Sequence, residues 1–169
     1  LEDGHGVDWP IRYKDLAPWY SYVERFAGIS GNKDGLAVLP DGDFVPPMQM
    51  NSIELKAKEG IEKNFKGRHL VIGRPAIISV AQKVHTDLGR ASCQFRNLCV
   101  RGCPFGAYFS TQSSTLPAAM KTGNLTIITD KIAYQVIYDD QKGKATGVRV
   151  IDQNTKQQQE YYAKIIFLN

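Results

Sequence analysis

Hydrophobic and polar positions change their period along this chain. Near the start Trp19, Val23 and Phe26 recur at i, i+4 and i+7, with Pro18 suited to a first turn and Gly28 to a stop. That spacing predicts a helix near 18–27. Ile53, Ala57, Ile61 and Phe65 mark a second helix near 51–66, capped by Asn51 or Ser52 and stopped by Gly67. Its polar side carries Glu54, Glu59 and Glu62 four residues before Lys58, Lys63 and Lys66, an order that supports a solvated face. Residues 29–50, rich in Gly, Asp and Pro, read as a long irregular loop. Short strands are expected at 69–72 and 76–79, and a helix from Ser114 to about Lys121 ending at Gly123.

The last third changes to a period of two. Segments 125–129, 131–138, 145–152, 158–163 and 165–168 read as strands, and the polar separators 139–143 and 153–156 are turn chemistry. Ile132, Tyr134, Val136 and Tyr138 alternate with Ala133, Gln135 and Ile137, which predicts a bulky core stripe on one face. The expected fold is α+β: an antiparallel β-meander in the C-terminal third, with a few helices and long irregular loops. The chain opens Leu1-Glu2-Asp3 without methionine and stops on the apolar run Ile165-Ile166-Phe167-Leu168. A continuous apolar strand is usually buried on both faces. The expectation is therefore an internal piece of a longer protein.

Composition narrows the function classes only a little. The chain has 169 residues, 43% hydrophobic and 22% charged, with a net charge of +4. Its basic residues are scattered among acids, so no nucleic-acid partner is expected. No apolar run approaches the ~20 residues of a membrane span, so no transmembrane segment is expected in this chain. Neither a G-x-G-x-x-G loop nor a Walker motif occurs, and His5, His69 and His85 stand far apart, each read as structural or surface-exposed.

The chemistry concentrates in one place. All three cysteines, Cys93, Cys99 and Cys103, lie in the segment 90–107, spaced C-x5-C-x3-C-P. Thiolates need an electropositive partner, and a metal or iron–sulfur cluster is the strongest one. Four readings stay open on spacing alone. One disulfide, Cys93–Cys99 or Cys99–Cys103, would leave a free thiol. Three inert buried thiols are another reading. Zinc would need His85 as a fourth ligand, at a spacing unlike the usual ones. The last is an iron–sulfur cluster.

Several segments together resemble the middle of a glucose–methanol–choline (GMC) flavin oxidoreductase. Asp8-Trp9-Pro10-Ile11-Arg12-Tyr13-Lys14-Asp15-Leu16-Ala17-Pro18 is similar to the family's D-W-P-I-x-Y-x-D-L-x-P approach to the substrate region. Gly123-Asn124-Leu125-Thr126-Ile127-Ile128, Ala145-Thr146-Gly147-Val148-Arg149-Val150 and Ala163-Lys164-Ile165-Ile166-Phe167 follow in the family's order. Arg90, Cys93, Cys99, Cys103, Pro104, Gly106 and Ala107 resemble the R-x-x-C-x5-C-x3-C-P-x-G-A run of FAD-dependent sugar dehydrogenase catalytic subunits.

The resemblance implies a two-domain FAD/substrate-binding architecture. Residues 1–123 would be part of the substrate-binding region, and 124–169 a β-meander returning to the FAD-binding domain, both incomplete. It implies FAD in the full-length protein, with Lys131 and Ala133 at the segment that reaches the adenine end. It also implies Cys93, Cys99 and Cys103 as ligands of an iron–sulfur cluster. No catalytic residue is carried over, because the family's catalytic histidine is expected beyond Asn169. The substrate would be a small-molecule alcohol, polyol or sugar oxidised at CH–OH, with a dehydrogenase passing electrons to an acceptor protein such as a cytochrome, in a periplasmic setting. The fragment itself is expected to be inactive. The competing expectation is a stand-alone β-rich carbohydrate-binding or interaction module, with Trp9, Tyr13, Trp19 and Tyr20 as a stacking surface and a structural disulfide.

Overall fold

The computed structural model describes residues 4–169; Leu1, Glu2 and Asp3, which open the sequence without a methionine, lie outside the described residues. The chain forms two compact units, one ending at Gly123 and the other spanning Asn124–Asn169.

The first unit is helical and irregular. Helix α1 runs Tyr13–Ala27, beginning five residues before the helix expected from the sequence. The reason is a local cap: the Asp15 carboxylate accepts the Arg12 N–H at 2.8 Å, satisfying an orphan donor a turn before Pro18. Pro18 then sits inside the helix, where it removes one i→i−4 bond without ending it. Gly28 ends α1 as read, at φ 77° in the left-handed region, with its N–H on Glu24 O. Helix α2, Ser52–Asn64, starts at the expected Asn51, whose side chain accepts from Ile53 and Glu54 N–H while Glu54 reaches back to Asn51 N–H. It buries no residue. Its apolar stripe is largely exposed, Ile53 at 78%, with Ile61 half-buried.

Segment 69–72 is not a strand, and 76–79 contributes only an isolated bridge, Ile77 to Tyr108. Each is a short run of apolar residues interrupted by Gly73 and Pro75, which favour turns over ladders. The loop 29–50 is irregular, tied by a parallel bridge between Ser30 and Val45. Two short helices complete the unit: α3, Lys83–Thr86, which the sequence reading did not anticipate, and α4, Thr115–Lys121. Its buried set is Ala27, Val45, Ile78 and Ala107, together with Ser30, His85, Arg90 and Ser114.

The second unit is an antiparallel meander in the order β1-β2-β3, with β1 Lys131–Asp139, β2 Lys144–Asp152 and β3 Gln158–Tyr162. The α+β class and the meander are as read. Segments 125–129 and 165–168, however, are not strands, and the apolar run at 165–168 is exposed, Phe167 at 84%. The expected core stripe on β1 is likewise exposed. A register shift between Ala133 and Gln135 leaves Tyr134 as an extra residue and breaks the alternation on which that stripe depended. Val150 on β2 is the buried apolar side chain of this unit.

Candidate functional site

The cysteine segment is held at both ends and free in the middle. Ile78 is its anchor: Ile78 N–H donates to Ala107 O at 3.0 Å, and Ile78 O accepts from Cys93 N–H at 2.8 Å. Ala91 N–H joins Phe105 O at 2.8 Å, and Phe109 N–H joins Ala76 O at 2.9 Å. The residues around Cys93 and Cys103 are thereby fixed beside 76–79. Between them the chain bulges outward, with Phe95 and Asn97 at positive φ, a single 3-10 turn at Cys99–Arg101, and Val100 94% exposed.

A buried arginine locks this segment to α1. Arg90 is 1% exposed. Its Nη1 donates to Phe26 O at 3.1 Å, Nη2 to Ala27 O at 2.9 Å and Nε to Gly106 O at 2.8 Å. Two orphan carbonyls at the C-terminal end of α1 thus meet a full positive charge, which also suits the helix dipole there. His85 takes a third: its Nε2 donates to Arg25 O at 2.7 Å, while Nδ1 accepts from Gln82 N–H at 3.0 Å. Burial, aided by the charge of Arg90 and against the bond to Arg25, pushes the His85 pKa below its ordinary value. The ring is a neutral tautomer with both nitrogens used, so it is not a zinc ligand.

The three thiols are free and half-buried. They are not alike. Cys93 and Cys99 line one apolar cavity of about 680 Å³ with Ile77, Ser79 and Phe95. Cys103 lines another, of about 400 Å³, with Arg90, Gly106 and Ser113. Burial pushes the Cys103 thiol up, but the N–H groups of Tyr108, Phe105, Ala107 and Gly106 outweigh it and bring the pKa below the ordinary thiol value. A lowered pKa favours the thiolate at this position. Among the described residues no three His, Cys, Asp or Glu side chains gather as a metal site. The ligands of an iron–sulfur cluster have to converge, and the thiols as placed do not present such a set.

In the second unit Lys131 is 2.7 Å from Asp152. The bond to Asp152 raises the Lys131 pKa, and the same bond with the N–H groups of Thr155 and Asn154 holds Asp152 well below the usual carboxylate range. The Lys131 ammonium is therefore committed to the turn after β2. Ala133 is exposed on β1, whose outer edge no strand covers among the described residues. Such an edge leaves backbone N–H and C=O groups open to a partner.

The aromatic residues near the start are exposed, with Tyr13 and Tyr20 stacked at 6.3 Å. Sequence reasoning matched Arg90 to a motif but missed its work, since its partners are carbonyls 63 and 64 residues away. No local signal marks such a contact.

A family model described as GMC oxidoreductase matches residues 2–168. 6'''-Hydroxyparomomycin C oxidase of Streptomyces lividus is 25% identical over 164 residues, covering 96% of this chain and 29% of that protein. 2-Methyl-1,2-propanediol dehydrogenase of Mycolicibacterium austroafricanum is 28% identical over 166 residues, covering 96% of this chain and 28% of that protein. The chain spans less than a third of the length of these curated relatives. No solved structure matches it.

Proposed function

The chain belongs to the GMC oxidoreductase family, and from that premise we propose that it serves an FAD-dependent oxidoreductase acting on the CH–OH group of an alcohol, polyol or sugar. The family match over nearly the whole chain carries this reading. The names of the two relatives, an oxidase of a hydroxyparomomycin and a dehydrogenase of a propanediol, agree with a hydroxyl-bearing substrate.

In this reading the unit ending at Gly123 is part of the substrate-binding region, and 124–169 returns the chain to the FAD-binding domain. FAD, when bound, accepts hydride from the carbinol carbon. The chain's own share is binding and orientation. The β1 edge at Ala133 offers backbone groups to the adenine, and the Lys131–Asp152 pair fixes the β1–β2 hairpin that presents that edge. Arg90 and His85 hold the cysteine segment against α1. His85 has no free nitrogen for proton abstraction, so the proton-accepting histidine is sought outside these residues.

The finer reading is a dehydrogenase that passes electrons to an acceptor protein such as a cytochrome. Its support is the resemblance of the cysteine run to sugar dehydrogenase subunits. No electron step is routed through the cysteines, because they do not gather as a metal site among the described residues.

The test is flavin bleaching in FAD-loaded protein under anaerobic conditions, on adding glucose or a propanediol, followed by reoxidation with dioxygen or with a cytochrome. Bleaching by an alcohol supports the class, and faster reoxidation by the cytochrome supports the dehydrogenase. A flavin that no alcohol bleaches overturns both. The 169-residue chain alone is expected to bind FAD weakly, since it has no G-x-G-x-x-G phosphate loop. Tight saturable quenching of flavin fluorescence at micromolar concentration would contradict that.

A further inference from the structure

Helix α3 has a single buried residue, His85, which is 0% exposed. The helix packs on α1, the one helix–helix contact among the described residues. The His85 ring makes two bonds of opposite sense. Nε2 donates to Arg25 O at 2.7 Å, near the end of α1, and Nδ1 accepts the N–H of Gln82, the residue that caps α3, at 3.0 Å. Only the neutral ring can do both, because a proton on Nδ1 would set two donors against each other.

The surroundings do not welcome a charge. Arg90, itself buried on the carbonyls of Phe26 and Ala27, repels a proton on the ring. The carboxylates of the packed elements are engaged elsewhere. On α1, Glu24 accepts the Asp43 N–H at 3.0 Å, and the Asp43 carboxylate lies 3.5 Å from the Arg25 guanidinium. On the α3 side Asp87 pairs with Lys83 at 2.8 Å, and its carbonyl accepts from Lys121 of α4. Cys103 acts on Arg90, not on the ring. The bond to Arg25 O alone favours the imidazolium, and burial outweighs it, so a protonated ring is driven toward water. We propose that His85 is an acid-operated latch, whose protonation detaches α3 from the end of α1 while Arg90 keeps the cysteine segment docked.

The moving piece is bounded. Leu88 N–H and Arg90 N–H donate to His85 O at 2.9 and 3.1 Å, so the backbone that leaves with the ring gives up both bonds. Gly89, at φ 77° in the left-handed region, is the joint on that side. Beyond it, Ala91 N–H on Phe105 O and Cys93 N–H on Ile78 O belong to the segment that the Arg90 side chain holds. Departure of α3 uncovers a cleft of about 470 Å³, where Tyr22 and Phe26 of α1 face Gln82, Lys83 and Val84. Leu88 and Gly89 also wall the cavity of Cys103, which the same motion opens on one side. Acidity is thereby coupled to access at two cavities, through a two-state element and a single titrating ring.

The experiment is an NMR pH titration of the isotopically labelled full chain. It follows the His85 ring resonances together with amide hydrogen exchange, each rate corrected for its intrinsic pH dependence. As pH falls from 7.5 to 5, protection at Gln82, Leu88 and Arg90 should drop about tenfold with the ring's own midpoint, while Ile78, Ala91 and Phe109 keep theirs. His85→Gln, whose amide can donate to Arg25 O and accept from Gln82 without titrating, should hold protection level across that range. A ring that stays neutral down to pH 5 would overturn the proposal. So would a ring that titrates while Gln82, Leu88 and Arg90 stay protected, since the charge is then held in place. Equal loss at Ile78, Ala91 and Phe109 would overturn it too, because acid would then unfold the unit as a whole. The wild-type titration reads all three results, so the test holds even where His85→Gln does not fold. No flavin enters it, and its outcome is independent of the proposed function.

Discussion

The two units are held together by opposite means. In the second, neighbours in sequence are neighbours in space: β1, β2 and β3 follow one another through short turns, and Lys131 pairs with Asp152 across one hairpin. In the first, the decisive bonds join residues about sixty apart, as when Arg90 and His85 reach the last carbonyls of α1. One unit is a product of local pattern, the other of a few buried polar side chains. The contrast teaches where each should fail, and how far a sequence can reveal each.

The largest effect is expected at Arg90. Arg90→Ala leaves Phe26 O, Ala27 O and Gly106 O without their donor, in a site that is 1% exposed. Loss of buried charge-assisted bonds of this kind costs about 4 kcal/mol. Chemical denaturation should show that loss, and hydrogen exchange should show it confined to the first unit. If amides of β2 lose protection equally, the contrast between the units is false. The second unit should break through a steric contact instead. A Cβ at Gly147 would lie 2.5 Å from Tyr161 O on β3. Gly147→Ala must splay β2 from β3, at about 2 kcal/mol. Here protection should fall at 158–162 while the Arg90 contacts keep theirs.

This contrast also explains what could be read in advance. The Asn51 cap, the Gly28 stop and the three paired strands were legible because each rests on residues a few positions apart. The start of α1 was missed because Pro18 is a louder signal than the Arg12–Asp15 cap. The outer strands 125–129 and 165–168 were over-read because apolar runs show a wish for burial, and pairing needs a partner that the run does not itself supply. At the candidate site, the cysteines and Arg90 were visible as a motif. Their division between two cavities was not, because it depends on how Ile78 pins Cys93 and Ala107.

A smaller effect is expected from pH. The folded His85 pKa lies below its ordinary value of 6.5, so the unfolded chain binds this proton more readily. The neutral ring's contribution is complete above that ordinary value and is lost as pH falls through the folded one. Asp87, Asp139, Asp152 and Glu160 are also lowered, and their contributions fade only below their ordinary values near 4. Below pH 6.5 and above the carboxylate range the slope therefore belongs to His85. His85→Gln should be less stable at pH 7.5 yet flatter across that window in urea midpoints. An unchanged slope would remove the histidine from the account.

The smallest change concerns rates, not stability, and it divides the first unit against itself. The backbone N–H groups of residues 105–108 lower the Cys103 pKa, and Arg90 lines the same cavity, whereas Cys93 and Cys99 share an apolar one. A thiolate reacts and a thiol does not, so the thiol with the lowered pKa is modified first at mildly acidic to neutral pH. Iodoacetamide at pH 7, with peptide mapping by mass spectrometry, should label Cys103 about threefold faster than Cys93 if accessibility is equal. Cys103 is half-buried like its neighbours, so access does not by itself favour it. The sharper readout is the pH at which each rate reaches half its maximum, which is independent of access. That midpoint should be lowest for Cys103, and Arg90→Lys should raise it by withdrawing the guanidinium that shares its cavity and interacts with its charge. Equal midpoints for all three thiols would show that the N–H groups do not hold the sulfur as a thiolate, and the cysteine segment would then have no chemically distinct member.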